Sequence, residues 1–347
     1  MDTKILKYKD NLSKIDLENI KKVFIENGLV VFPTETVYGL GANGLSEEAC
    51  EKIFVAKGRP SDNPLILHIA NREQLYELVE EVPLVAEHLM DMFWPGPITF
   101  IFKASRIVPN TVRAGLSTVA IRMPSHEVAR EILSYVNLPI AAPSANISGR
   151  PSPTTCNRVF EDLNNRVDII VDGGISNIGI ESTVVDVSDG DVTILRPGKI
   201  TLEDIKIIVP TAKLDDALIT DNDITPKSPG QKYKHYAPKA EAYCFVGNLS
   251  NVIKEINKRV IENKNKKIAI LATEESFEHY ENVDLKINLG SRENLEDIAK
   301  NLFEALRQCD DNKIDIIYAE GFELIGLGAS IMNRLLKACS GRVIFGL

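Results

Sequence analysis

No stretch of this chain approaches the roughly 18 consecutive apolar residues that would span a bilayer, so no membrane-spanning helix is expected. The opening segment, Met1 to Asn11, alternates charged and apolar residues and lacks the apolar run of a secretory signal, and a cytoplasmic protein is expected. Basic residues are outnumbered, with 40 Lys and Arg against 49 Asp and Glu. The resulting net charge of −9 excludes a broad basic surface for nucleic acid, although not a local basic cleft. The five cysteines (Cys50, Cys156, Cys244, Cys309, Cys339) form no C-x-x-C pair and no ligand spacing with the five histidines. They read as buried or inert thiols, and no metal held by protein side chains alone is expected. Familiar nucleotide signatures are missing too: there is no G-x-x-x-x-G-K-[ST] loop, no G-x-G-x-x-G after the first strand and no nucleophile elbow.

What is present is a soluble globular composition, 44% hydrophobic and 26% charged, in 347 residues, a length that suggests two domains. Ser13-x-x-Asp16 starts one helix, and Ser46 caps a second that runs to Lys57 and is closed by Gly58. Eight short apolar runs between Leu29 and Leu195 read as buried strands, which predicts a mixed, twisted α/β sheet over residues 1–209. Residues 210–239 break the pattern with acidic residues and prolines and read as a linker. Its segment Gln231 to Tyr236 is aromatic and basic, which fits either a lid over a nucleotide or a linker packed on the surface. Residues 240–347 resume a strand–helix alternation of the doubly wound, Rossmann-like parallel kind. Gly326-x-Gly328 before the last helix reads as a tight turn in preference to an anion site.

Polar clusters stand at the ends of the apolar strands, where open α/β sheets hold their ligands. Thr34, Glu35 and Thr36 follow the first strand and, taken alone, read as a capped turn in preference to a site that fixes a small amino-acid-like group. Lys57-Gly-Arg59 to Asn63 places two cations on a stiff backbone, suited to polyphosphate oxygens. His68 lies among apolar neighbours, the usual surroundings of a satisfied core histidine. Arg122 sits in an apolar strand and requires an anionic partner, either an internal carboxylate or that of a substrate. Ser144, Asn146 and Ser152 offer donors among small residues, and Arg196 ends a strand as a phosphate clamp would.

Together, Pro33-Thr-Glu-Thr-x-Tyr-Gly-Leu40, Lys57-x-Arg59, Ser144-x-Asn146, Ser182-Thr-Val-Val-Asp186 and Arg196-Pro-Gly198 resemble the YrdC-like domain. With Ser228-Pro-Gly230, His235-Tyr-Ala-Pro238 and a following Rossmann-like unit, the chain resembles the two-domain threonylcarbamoyl-AMP synthases over nearly its whole length. The resemblance implies condensation of L-threonine, bicarbonate or carbon dioxide, and ATP into L-threonylcarbamoyl-adenylate, with release of diphosphate. Mg²⁺ is expected on the ATP phosphates. A separate transferase complex would then pass the group to tRNA, with direct tRNA binding here weak or absent. Residue by residue, it implies that Lys57, Arg59, Asn63, Thr118, Ser144, Ser152, Arg196 and Tyr236 face ATP. Thr36, His68, Arg122, Ala142 and Ser182 would face threonine. Lys57, Arg59, Ser144 and Asn146 form the catalytic set, and no metal is held by protein alone. Two rivals are a carbamoyl-phosphate-using adenylating domain and a non-catalytic, RNA-binding, translation-associated module. The first would bring acylphosphatase and zinc-finger modules, for which this chain has neither length nor cysteine spacing.

Overall fold

Side-chain capping sets the first helices where the sequence places them. Ser13 accepts the Asp16 N–H at the head of Lys14–Ile25, and Ser46 accepts that of Ala49 at the head of Glu47–Lys57. Gly58 ends the second helix in the left-handed conformation, φ 61°, which costs a residue without Cβ little. The computed structural model describes residues 2–218 and 236–347. The greater part of the linker read over 210–239 lies outside the described residues. So do Ser228, Pro229, Gly230 and His235 of its motifs, and the lid reading with them.

The described residues divide into two units. The first holds residues 2–148, 152–177 and 181–218; the second holds 236–347 with the short stretches 149–151 and 178–180. In the first unit eleven strands form one sheet: β1 (Lys4–Lys7), β2 (Val30–Phe32), β3 (Gly39–Asn43), β4 (Ile66–His68), β5 (Ile98–Lys103), β6 (Thr118–Arg122), β7 (Ile140–Ala141), β8 (Ile169–Asp172), β9 (Thr183–Asp186), β10 (Thr193–Arg196) and β11 (Lys213–Leu214). Their order is β1-β8-β2-β3-β7-β4-β6-β5-β9-β10-β11, with parallel and antiparallel neighbours mixed. The eight apolar runs are all strands here. The three additions are short or weakly apolar: β1 reads Lys-Ile-Leu-Lys, β3 begins with Gly-Leu-Gly, and β11 has two residues.

Alternation along the strands separates two apolar layers. Leu65, Leu67 and Ile69 join Phe100, Ile121 and Val185 in the main core. On the opposite face Ile66, Ile101, Ala120, Val184 and Leu195 form a small cluster of their own. This second face positions the site, because His68, Thr99 and Arg122 share it by the same period of two.

The second unit carries a five-stranded, wholly parallel sheet of β12 (Glu241–Phe245), β13 (Ile268–Ala272), β14 (Leu285–Asn288), β15 (Ile316–Glu320) and β16 (Val343–Ile344). The order β14-β13-β15-β12-β16 inserts the fourth strand between the first two, unlike the usual dinucleotide-binding arrangement. Gly326 (φ 55°) and Gly328 make a close turn into the helix Leu327–Ala338. A Cβ on Gly328 would lie 2.3 Å from the Glu323 carbonyl oxygen, so this pair is structural. All five cysteines are buried free thiols, and no helix among the described residues is long and apolar enough to cross a membrane.

A buried carboxylate ties the strand ends of this unit together. Glu320 accepts from the hydroxyls of Ser276 and Tyr280, the latter at 2.7 Å, and from Thr273 and Arg292, both at 2.9 Å. Its side chain is fully buried. Glu320→Ala should leave the Arg292 charge without its counter-ion and destabilise the second unit by about 3–5 kcal/mol. Denaturant unfolding checks this; an unchanged midpoint would show that the network does not hold the unit.

Candidate active site

Lys57 stands in the last turn of its helix, where the helix dipole favours a cation. It nevertheless turns inward, with only 2% of its surface exposed. Its ammonium donates to the carbonyl oxygens of Ser144 and Asn146, the latter at 2.7 Å, and reaches Asn146 Oδ1 at 3.4 Å. Ser144 Oγ donates to the same Oδ1 at 2.6 Å, and Asn146 Nδ2 donates to the Ile147 carbonyl at 2.9 Å. The loop is pinned from its other side, by a bridge between Gly39 and Ser144 and by the Ala145 N–H on the Tyr38 carbonyl at 2.8 Å. Lys57, Ser144 and Asn146 are therefore one connected unit. Arg59 closes the adjoining turn, its Nη2 donating to the carbonyls of Asn63 and Pro64 at 3.2 and 2.9 Å. Asn63 is buried, and its Oδ1 has no hydrogen-bond partner among the described residues.

A row of polar side chains crosses the neighbouring strand ends. Register places His68 beside Arg122 and Arg122 beside Thr99. Thr99 Oγ1 meets Ser182 Oγ at 2.8 Å. Arg196 donates through Nε to the Ser182 carbonyl at 3.0 Å and through Nη2 to Ser182 Oγ at 3.1 Å. A residue assigned to ATP and one assigned to threonine are thus hydrogen-bonded to each other. Ala142 lies next to this row, with its N–H on the Ile66 carbonyl at 3.0 Å. Ser152 donates to Glu181 at 2.5 Å, both of them buried.

Arg122 anchors the row. Its Nη1 donates to Thr36 Oγ1 at 2.9 Å. Thr34 Oγ1 donates to the Val37 carbonyl at 2.7 Å, which uses its proton, so Thr36 supplies the hydrogen in the 2.8 Å contact between the two hydroxyls. An internal carboxylate partners Arg122: Glu35 Oε1 lies 2.6 Å from Nη2. Burial, the largest single influence, raises the Glu35 carboxyl, but the charge of Arg122 and the N–H groups around the carboxylate together hold it below the usual carboxylate range. The approach is poorly aligned for hydrogen bonding. Glu35 Oε1 and Arg122 Nε and Nη2 are all buried without a hydrogen-bond partner among the described residues.

One assigned residue of the first unit stands apart from Arg122. Thr118 shares the face of Arg122 but begins β6 where Arg122 ends it, about 13 Å away at the usual rise per residue. Tyr236 belongs to the second unit, buried with its ring stacked on Phe303 at 5.0 Å between centroids. Thr99 was missing from the sequence assignment. Its only signal is one hydroxyl inside Ile-Thr-Phe-Ile-Phe, and its importance depends on strand register.

His68 does not join the main core. Burial and the neighbouring Arg122 charge push its imidazole down to about 3. Nδ1 lies 3.2 Å from the Ile66 carbonyl. Because the folded value lies below the ordinary 6.5, the cost of keeping the ring neutral grows as pH falls from about 6.5 toward 3. The His68 ring resonances should stay flat between about pH 5 and 8. A titration midpoint near 6.5 by NMR would contradict this placement.

With this geometry in view, the relatives are informative. The family described as Telomere recombination (Sua5_yciO_yrdC) matches residues 22–198, and the family described as Threonylcarbamoyl-AMP synthase, C-terminal domain (Sua5_C) matches residues 200–340. Threonylcarbamoyl-AMP synthase of Pyrococcus abyssi is 46% identical over 92% of this chain and 93% of its own length. That of Bacillus subtilis is 47% identical over 92% and 91%. The crystal structure of P. abyssi Sua5 complexed with L-threonine superimposes with a TM-score of 0.92 at 43% identity, covering 99% of both chains. E. coli YciO, 24% identical with a TM-score of 0.51 over 56% of this chain and 95% of its own, shares the fold of the first unit. By both family models and by these identities, the chain belongs to the threonylcarbamoyl-AMP synthase family, enzymes of the transferase class, in its two-domain form.

Proposed function

We propose that this site condenses L-threonine, bicarbonate or carbon dioxide, and ATP into L-threonylcarbamoyl-adenylate and diphosphate, with water as a further product when bicarbonate is the donor. The observation that carries the reading is the bidentate edge of Arg122. Its Nε and Nη2 are buried without hydrogen-bond acceptors, on a strand end joined through Thr99 to the Ser182–Arg196 pair. That edge matches a carboxylate geometrically. Thr36 and His68 adjoin Arg122, and we assign these three, with Ala142 and Ser182, to threonine.

We assign Lys57, Arg59, Asn63, Ser144, Ser152 and Arg196 to ATP, together with Thr118 further along the same face and Tyr236 by family resemblance. The threonine amine first captures the one-carbon unit as a carbamate. A carbamate oxygen then attacks the α-phosphorus in line, and diphosphate departs. Neither step needs a side-chain nucleophile; orientation alone supplies roughly 7–11 kcal/mol in favourable systems, and fixed cations stabilise charge on the phosphates. ATP enters as its magnesium complex. The hydroxyls and amides on hand, with no cluster of three or more His, Cys, Asp or Glu among the described residues, fit an ion carried on phosphate oxygens and water.

The product is a reactive mixed anhydride, which suits hand-off to a separate transferase that modifies tRNA, in the cytoplasm. A non-catalytic RNA-binding role is disfavoured by the synthase relatives and by the net charge of −9.

Diphosphate release from ATP, with threonine and bicarbonate omitted in turn, tests the reading. Release should require threonine; release that does not would contradict it. Arg59→Ala should lower turnover by about 100-fold, the usual loss for one fixed charge-stabilising donor. Unchanged turnover would remove Arg59 from the phosphate clamp.

A further inference from the structure

Glu35 has no role in the reading above, yet it holds the least satisfied buried oxygen beside Arg122. It lies in the loop between β2 and β3, buried, with Oε1 2.6 Å from Arg122 Nη2. The two charges attract, but the N–H does not point along the line to the oxygen, and Oε1 accepts no hydrogen bond. Backbone N–H groups, among them that of His126 at 3.4 Å from Oε2, give the carboxylate long contacts only in part of its acceptor positions. An ionised carboxylate has about four acceptor positions, and a buried one left without donors is costly. Arg122 is in the complementary state. Nη1 is engaged by Thr36, while Nε and Nη2 have no acceptor.

A donor edge and an acceptor oxygen therefore lie side by side, and neither satisfies the other. A plain carboxylate would satisfy Arg122 and leave Glu35 as it is, now facing a second anion. A ligand that presents a carboxylate and an N–H donor on one carbon, as an α-amino acid zwitterion does, satisfies both.

We propose that Glu35 contacts substrate directly, accepting a hydrogen bond from its α-nitrogen, so that Glu35 and Arg122 together read an amino acid and reject simple hydroxy acids. This rests on the assignment of the substrate carboxylate to Arg122. The contact persists through the first chemical step, because a carbamate nitrogen keeps one N–H. Repulsion between the Glu35 carboxylate and the new carbamate group turns the latter away. The side of the row away from Glu35 holds Ser182 and Arg196, where a charged carbamate is stabilised and where the nucleotide is assigned.

Equilibrium binding of L-threonine and of 3-hydroxybutyrate, which is threonine without its amine, tests the proposal in the full-length protein. The wild type should prefer threonine. In Glu35→Gln, threonine should bind about tenfold or more weakly, the usual loss for a hydrogen bond to a charged group, while 3-hydroxybutyrate binds equally or more tightly. ATP affinity serves as the folding control. Equal weakening of both ligands would mean that Glu35 only holds Arg122 in place, and no change in either would remove it from the site; both overturn the proposal. Glu35→Asp keeps the charge but withdraws the oxygen, and it should lose discrimination in the same direction, which preserves the test if the glutamine variant does not fold. Failure of the wild type to bind threonine at all would instead sink the carboxylate assignment on which the proposal rests.

Discussion

The buried guanidinium of Arg122 is the constraint on which the site depends. A cation with 4% of its surface exposed, on a strand between apolar neighbours, costs several kcal/mol unless anions and acceptors surround it. Thr36 and Glu35 meet part of that demand. They come from the loop between β2 and β3, so the demand also fixes that loop against the end of β6. From there the hydrogen-bonded chain runs through Thr36 and Thr34 to the backbone at Val37. The remaining edge of the guanidinium is the one the proposed function assigns to the substrate carboxylate.

The sheet makes such a site affordable by giving it a face of its own. The main core lies on the other side of the strands, so polar groups at 68, 99 and 122 do not interrupt it. Directly behind them the five-residue cluster of Ile66, Ile101, Ala120, Val184 and Leu195 keeps the same face dry and rigid. Exclusion of water matters here, because both the carbamate and the adenylate are prone to hydrolysis. Lys57 plays a related part from the helix end. By donating to the Ser144 and Asn146 carbonyls it shapes the loop whose side chains are assigned to the nucleotide.

Much of this was legible in the sequence, and the remainder was not for definable reasons. Long apolar runs such as Ile98–Lys103 announce strands, and serine caps announce helix starts, because both signals are local. β1 and β3 gave no such signal: one is flanked by lysines and the other is rich in glycine, and pairing with neighbours makes them strands. In the site, the polar residues at strand ends stood out one by one. Their linkage did not, since the partnership of Thr99 with Ser182, or of Glu35 with Arg122, depends on register between strands distant in sequence. His68 shows the same limit. Its apolar neighbours suggest a buried residue, as it is, but strand alternation sets it on the face opposite Leu67, with its ring against Phe32.

The central claim is that Arg122 receives the amino-acid carboxylate through its bidentate edge. Calorimetric titration of L-threonine into the wild type and into Arg122→Lys tests it most directly, since lysine keeps the charge but not the fork. The account predicts that threonine affinity falls by about tenfold or more while ATP affinity is retained. Equal threonine affinity in the two proteins would contradict it.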